Sequence, residues 1–324
     1  MARRNGPKEI GWLERLRLKD YRFHILLVLI IGFTLAAGAF SRVSEWKMDR
    51  RERKFSRRVE VCRNYLQQEL DDGIEAVESV VNLFEASKEV TRAEFREFVR
   101  DPLRRHPGLG AVAWVPRVPR EERKAYVQRA REAGLSGFRI TEALDDREAV
   151  PAGEREEYLP LYYLEPERID RAALGRDLGF DPTWRSILQR AGERGGTIVR
   201  GTPPLGSNTE RVDLTAAFPV PRGAGSEGEI RPKGYVVSVY HLKSLSAAAW
   251  GETGPSGLSL QLLEGSASEG ERILVSYDAA GDGGYVRDLP GSERRKKRVS
   301  VSAVDREWVL AARASPSLLP NRPP

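Results

Sequence analysis

A chain of 324 residues with 40% hydrophobic and 8% aromatic side chains can bury a sizeable core, which excludes a disordered protein. The formal net charge is +6, and the charged residues are spread along the chain instead of forming one basic stripe. Nucleic-acid-binding proteins usually concentrate basic and aromatic residues on one face, so nucleic acid is not an expected partner.

The first predicted element is a transmembrane helix over residues 23–43, after a basic N-terminal segment over 1–22. Residues 23–41 contain no Asp, Glu, Lys or Arg, and a helix of that length spans roughly 28 Å, close to a hydrocarbon core. Residues 37–39, Ala-Gly-Ala, would also suit signal-peptidase cleavage. An uncleaved anchor is favoured because the preceding segment is long for a cleaved signal. Basic residues flank both ends of the run, so charge does not set the orientation.

A long stalk helix is predicted over residues 44–90. Its apolar residues recur at steps of three or four, which places them on one helical face: Phe55, Val59, Cys62, Leu66, Leu70, Ile74, Val77, Val81 and Phe84. This stripe can pack on the chain's own domain or form a parallel homodimer. The sequence leaves both arrangements open, and a dimer would bring Cys62 close to its counterpart.

Strands and helices alternate after the stalk. Helices are predicted at 120–134 and 181–196, the second with Asp181 as N-cap and Pro182 in its first turn. Strands are predicted at 108–116, 138–144, 158–164, 197–204, 211–220, 234–242, 258–265, 272–279, 295–304 and 307–314. The pattern indicates an α+β fold with two small antiparallel sheet units.

The residue pattern offers no basis for catalysis or metal binding. Cys62 is the one cysteine, and His24, His106 and His241 lack the spacing of metal ligands. Residues 223–228, GAGSEG, match a dinucleotide-binding pattern, but a strand follows them where a helix is required, so a solvent loop is predicted. We therefore expect no enzymatic activity, no metal and no cofactor.

Several spaced motifs resemble one family. They are FREFVRDPLRRHPGLGAVAWVPRVPREERKAYV at 95–127, YLPLYYLEP at 158–166, GRDLGFDPTWRSILQRA at 175–191 and GYVVSVYHLKSL at 234–245. In this order they resemble the CHASE domains, extracytoplasmic sensor domains of histidine kinases and cyclases that include the ligand-binding part of plant cytokinin receptors. The resemblance covers about residues 75–250.

The resemblance implies an architecture and a location. A membrane-distal, PAS-like ligand-binding unit is expected over 91–230, and a membrane-proximal PAS-like unit over 231–314, before a C-terminal tail at 315–324. The sensor part is expected in the periplasm or exterior, on a single-pass anchor in the cytoplasmic membrane, with the basic segment over 1–22 in the cytoplasm. No kinase or cyclase domain is recognised in the chain, so a separate output protein is a possible partner.

The resemblance also implies ligand-binding residues. Asp177 aligns with the acid that accepts hydrogen bonds from the adenine ring of the ligand in the plant receptors. Sequence context alone favours a different role, a cap on the turn before the helix at 181. The other expected ligand-binding residues are Leu161, Tyr163, Val199, Thr215 and Tyr235, and Leu161 and Tyr163 are expected to share a strand face.

Two departures leave the ligand class open. Val237 and Ser238 stand where the plant receptors have small glycines, and they add bulk in or near the expected cavity. After the aligned acid, the sequence LGFD at 178–181 replaces the pattern of the plant receptors. The leading interpretation is a membrane-anchored sensor that binds a small molecule and signals through its stalk. The alternative is a non-catalytic structural or partner-binding membrane protein whose PAS-like fold has lost its ligand. An enclosed void beside Asp177 would favour the sensor, and a packed core would favour the alternative.

Overall fold

The computed structural model of the chain describes residues 11–142, 149–166, 173–194, 198–202, 213–221, 232–251, 255–265, 270–278, 284–286, 296–303 and 305–314. The helices are α1 (Gly11–Ala86), α2 (Arg92–Arg105), α3 (Arg123–Glu132), α4 (Pro182–Arg194) and α5 (Leu242–Trp250). The strands are β1 (Leu109–Pro116), β2 (Val118–Pro119), β3 (Thr141–Glu142), β4 (Val150–Pro151), β5 (Glu157–Tyr158), β6 (Tyr163–Glu165), β7 (Ile198–Thr202), β8 (Asp213–Val220), β9 (Gly234–His241), β10 (Leu258–Glu264), β11 (Arg272–Asp278), β12 (Gly284–Val286), β13 (Lys296–Ala303) and β14 (Arg306–Ala314).

The described strands form two large antiparallel sheets. The first has the order β6-β1-β9-β8-β7, and the second has the order β12-β11-β10-β14-β13. By its internal contacts the chain divides into two compact units, residues 1–57 and 58–324, and both sheets lie in the second. This confirms the predicted α+β class with two sheet units.

Strand β9 lies at the centre of the first sheet, between β1 and β8. All of its residues except His241 are buried, as expected for a strand with neighbours on both edges and helices on both faces. The first sheet therefore extends to His241, past the unit boundary at residue 230 that the resemblance implies.

The two faces of the first sheet are covered by different helices. Helix α4 buries Trp184, Ile187, Leu188 and Ala191 in a core with one face of the sheet. The opposite face carries Trp114 and Tyr163. Phe84 of α1 stacks on Trp114 with ring centroids 4.0 Å apart, and Phe95 of α2 stacks on Tyr163 at 5.4 Å.

The apolar stripe of α1 is buried over the part that belongs to the second unit. Its buried members are Val59, Cys62, Leu66, Leu70, Val77, Val80 and Phe84. Ile74 and Val81, which the sequence spacing places on the stripe, are only half-buried. Gly73 takes the inner position, and its carbonyl oxygen accepts a hydrogen bond from the Tyr240 hydroxyl at 2.9 Å. The stripe thus packs on the chain's own domain, one of the two arrangements that the sequence leaves open.

Helix α1 also covers the outer edge of β13. The Gln67 side chain donates to the Ser302 carbonyl at 2.9 Å and accepts from the Ser302 N–H at 2.8 Å. Two residues earlier in the strand, the Ser300 carbonyl accepts from Arg63 Nε at 3.0 Å. These side chains replace the backbone partner that a further strand would supply.

Within the part of the chain that the structure describes, no helix is both long and apolar enough to cross a membrane. The predicted transmembrane helix over 23–43 is therefore not confirmed. The predicted loop at 223–228 and the tail at 315–324 lie outside the described residues.

Candidate ligand-binding cleft

Asp177 lies in a short segment that backbone hydrogen bonds hold on both sides. Its own N–H donates to the Thr141 carbonyl at 2.7 Å, and the N–H of Leu178 donates to the Leu159 carbonyl at 2.9 Å. Pro160, which has no N–H, forms an isolated bridge with Asp177. The predicted strand over 158–164 is broken at this point, and its two ends belong to β5 and β6.

Asp177 is 2% exposed as a residue, and both oxygens of its carboxylate accept hydrogen bonds. Oδ1 accepts from the N–H of Leu159 at 2.8 Å and from the N–H of Gly179 at 3.0 Å. Oδ2 accepts from Arg155 Nη1 at 2.9 Å. Burial raises the pKa of Asp177 above its usual value, and these three bonds offset part of the rise.

Arg155 is held from several sides. Its Nη2 donates to Glu142, its Nη1 donates to Asp177, and its guanidinium lies 4.6 Å over the Phe180 ring. Two carboxylates therefore neutralise one cation, and the guanidinium has a fixed orientation.

A cleft of about 850 Å³ opens beside these groups, within the size range of small-molecule sites. Its lining consists of Arg117, Arg155, Glu156, Glu157, Leu159, Gly179, Arg185, Gln189, Gly192, Glu193, Arg194, Pro232 and Tyr235. Leu159, Gly179 and Arg155, the three residues whose donors Asp177 accepts, are all in this lining. Asp177 lies directly behind the wall and determines the position of part of it.

Helix α4 forms one side of the cleft. Arg185, Gln189, Gly192 and Glu193 are spaced so that they share one helical face. A Cβ atom on Gly192 would lie 2.7 Å from the Tyr235 hydroxyl oxygen, so a glycine here permits the close approach of β9 to α4. This approach places Tyr235 in the cleft wall.

Tyr235 can act as a neutral hydrogen-bonding group. Burial raises its pKa to about 12, so the phenol keeps its proton at neutral pH and is not a general base. Its hydroxyl makes no hydrogen bond to the part of the chain that the structure describes. It is available to a ligand.

The other expected ligand-binding residues do not gather at this cleft. Leu161 is fully buried in the core beneath the wall, with Leu178 and Trp184. Thr215 is buried in β8, where it pairs with Val239.

Tyr163 and Val199 lie on β6 and β7, the two strands at opposite edges of the first sheet. The Tyr163 hydroxyl donates to the Val90 carbonyl at 3.1 Å, on the α1 and α2 side of the sheet. The expectation that Leu161 and Tyr163 share a face is wrong, because the chain leaves one strand and enters the next at Pro160 and Leu161. Val199 of β7 pairs with Ala216 of β8, and the side chain of Val199 lies outside the described part.

The charged residues of the cleft are those that the sequence interpretation missed. Arg155 lies in a polar stretch between the predicted strands at 138–144 and 158–164, and nothing in its spacing distinguishes it from the other arginines. Arg185 follows the buried Trp184 on the exposed face of α4. The spacing of Arg185, Gln189 and Glu193 is a signal that could have identified this face, once the opposite face was assigned to the core.

The lining places hydrogen-bond donors and acceptors around a cleft of small-molecule size. Within the described residues, no group of three or more His, Cys, Asp or Glu could hold a metal ion. A family model for the CHASE domain matches residues 88–275. The chain therefore belongs to the CHASE domain family, whose members are extracytoplasmic sensor domains and not catalytic ones.

Two solved structures are similar to the chain. The first, "Extracellular ligand binding receptor from Desulfohalobium retbaense DSM5692", has 9% identity and a TM-score of 0.48, over 80% of this chain and 40% of that one. The second, "Methyl-accepting Chemotaxis protein X", has 13% identity and a TM-score of 0.39, over 80% of this chain and 96% of that one. The chain thus spans less than half the length of the first. No curated protein sequence matches it.

Proposed function

We propose that this CHASE domain senses a small molecule that binds in the cleft between α4 and β9. The observation that carries the proposal is the relation between Asp177 and the cleft wall: one buried carboxylate fixes Leu159, Gly179 and Arg155. Such preorganisation reduces the entropic cost of ordering a site on binding.

Within this proposal the expected ligand-binding residues have different roles. Tyr235 contacts the ligand, because it lines the cleft with a hydroxyl that the described chain leaves without a partner. Asp177 and Leu161 support the wall from behind. Ligand contacts of Tyr163, Val199 and Thr215 would need a second site or a rearrangement of the sheet, and substitution of each residue would test them separately.

The proposal includes a membrane anchor over residues 23–43, with the sensor domain outside the cytoplasm. Large apolar side chains of α1 are strongly exposed here, among them Leu26 at 60%, Phe33 at 77% and Phe40 at 75%. Apolar surface of this kind is usually covered by lipid or protein, and the uncharged run favours lipid. A periplasm-active reporter fused after Pro324 should give signal, and a cytoplasm-active reporter should not.

Signal output belongs to the same proposal. A separate kinase or cyclase would receive the signal through α1, either from a monomer or from a homodimer. Because the buried stripe is occupied by the chain's own domain, a homodimer would have to use another face of α1. Size measurement of the full chain in mild detergent would distinguish monomer from dimer.

The binding proposal is tested by filling the cleft. Gln189→Trp adds bulk on the cleft face of α4, and Arg190→Trp adds the same bulk outside the lining, as a matched control. Small metabolites are screened by thermal shift on the full chain in mild detergent, since a ligand specific to the folded state raises stability. We expect compounds that stabilise the wild type and the control but not Gln189→Trp.

A screen in which no compound shows this pattern would contradict the proposed function. It would favour a structural or partner-binding protein. The observation that favours this alternative is the tightly packed core of Leu161, Leu178 and Trp184 beside Asp177.

A further inference from the structure

The guanidinium of Arg185 is held at one end of the cleft with most of its donors unused. Its Nε donates to the Gly179 carbonyl at 2.6 Å, and the N–H of Gly179 is itself bound to Asp177. No described acceptor lies within hydrogen-bonding distance of the two terminal nitrogens, Nη1 and Nη2. A guanidinium oriented in this way presents a planar pair of donors that fits a carboxylate or phosphate group.

The remaining arginines of the cleft have acidic partners. Arg155 is neutralised by Asp177 and Glu142, and Arg117 pairs with Glu157. At the far end of α4, Arg194 lies 3.7 Å from Asp305. Among the described residues, Arg185 is therefore the lining arginine without an acidic partner.

The other end of the cleft has the opposite polarity. Glu193 accepts one hydrogen bond, from the Gln189 side chain at 2.7 Å, and it has no cationic partner in the described chain. The Tyr235 hydroxyl lies at the same end, beside Gly192. These groups call for a ligand with a hydrogen-bond donor or a positive charge.

The two ends lie on one helix. Arg185 and Glu193 are eight positions apart, which corresponds to roughly 12 Å at the rise of an α-helix. A compact anion could bind Arg185 but could not reach Tyr235 and Glu193. An elongated molecule could satisfy both ends.

We infer that the cleft binds an elongated small molecule with an oxyanion at one end, held by Arg185, and a cationic or hydrogen-bond-donating group at the other, held by Glu193 and Tyr235. The inference rests on the proposed function and specifies the ligand class of the same site. The oxyanion is a carboxylate or a phosphate, because the guanidinium suits both.

Three probes of equal chain length separate the two ends: ε-aminocaproate, hexanoate and adipate. Binding is measured by thermal shift on the full chain in mild detergent. We expect ε-aminocaproate to bind most tightly, hexanoate more weakly because it lacks the cation, and adipate weakest because Glu193 repels a second carboxylate. Phosphoethanolamine forms the second arm, with inorganic phosphate as its control that lacks the amine. Tighter binding of phosphoethanolamine than of ε-aminocaproate would assign the oxyanion as phosphate.

Substitutions of Arg185 and Tyr235 test which residue holds each end of the ligand. Arg185→Gln should weaken binding of the preferred probe at least tenfold, Arg185→Lys should weaken it less, and Arg190→Gln on the exposed side of α4 should leave it unchanged. Tyr235→Phe should weaken ε-aminocaproate more than hexanoate.

Two outcomes would overturn the inference. One is the absence of a thermal shift with every charged probe, and the other is equal binding by wild type and Arg185→Gln. If neutral compounds from the metabolite screen bind and Gln189→Trp abolishes their binding, the proposed function stands while this inference fails. If no compound depends on Gln189, the proposed function itself fails.

Discussion

Asp177 accepts three hydrogen bonds with one carboxylate, and this number determines what a substitution would do. Asn can still accept from Leu159 and Gly179 with its single oxygen. Its amide nitrogen is a donor, however, and would face the donor Nη1 of Arg155. The contact with Arg155 therefore depends on the negative charge of Asp177, whereas the hydrogen bonds from Leu159 and Gly179 do not.

We predict that Asp177→Asn lowers the free energy of unfolding by about 1.5–3 kcal/mol, the usual contribution of a hydrogen bond to a charged group. Asp181→Asn is the matched control. Asp181 caps α4 through the N–H of Thr183 at 2.8 Å, and Asn caps a helix about as well as Asp. Chemical denaturation of the full chain without ligand measures both, and equal stabilities would show that the Arg155 contact contributes little.

Tyr235 gives a pH dependence with a definite sign. The folded chain holds the phenolic proton up to a pKa of about 12, whereas the ordinary value is 10.0. The stabilisation is complete below pH 10 and is lost as the pH rises toward 12, by at most about 2–3 kcal/mol. Denaturation curves between these values should be less pH-dependent for Tyr235→Phe than for wild type. If the stability of wild type and of Tyr235→Phe fell equally with rising pH, burial would not raise the pKa of Tyr235.

At the scale of elements, β9 connects the cleft to α1. Its N-terminal end follows Pro232, which lines the cleft, and Lys233, whose Nζ donates to the carbonyls of Phe84 and Ser87 at the end of α1. Further along, Tyr240 binds the Gly73 carbonyl. A displacement of β9 on ligand binding would therefore reach α1 directly.

We predict that Lys233→Met loosens the last turn of α1. The ammonium satisfies carbonyls that have no partner within the helix, and its charge is favourable at a helix C-terminus. Hydrogen exchange of the backbone amides over residues 80–86 should accelerate severalfold, while α2 is unaffected. Lys124→Met, an exposed lysine on α3, is the control, and unchanged exchange at α1 would show that Lys233 does not cap it.

At the scale of the whole molecule, the buried stripe of α1 decides how Cys62 behaves. Cys62 is 7% exposed, and burial raises the pKa of its thiol to about 11. We predict that oxidant leaves the native chain without a Cys62-linked dimer, and that a thiol reagent labels Cys62 quickly only after denaturation. Rapid labelling or crosslinking of the native chain would mean that the stripe leaves its domain.

The sequence predicted the elements whose patterns are local. The amphipathic stripe of α1, the N-cap at Asp181 and the two antiparallel sheets depend on periodicity and capping, which are visible in a single sequence. The partners of Asp177 were not predictable, because Arg155 lies in a polar stretch 22 positions away and meets it only through the folded sheet. The same holds for Tyr163, whose face depends on the break at Pro160.

The contact between Gln67 and Ser302 bears on how the protein avoids polymerising. An uncovered β-strand edge can recruit a strand from another molecule and seed aggregates. The amide of Gln67 occupies both backbone groups of Ser302, as a neighbouring strand would. We predict that Gln67→Ala folds but scatters light sooner on concentration, whereas Gln68→Ala, on the exposed side of α1, behaves as wild type. An unchanged onset in Gln67→Ala would mean that the helix backbone alone shields β13.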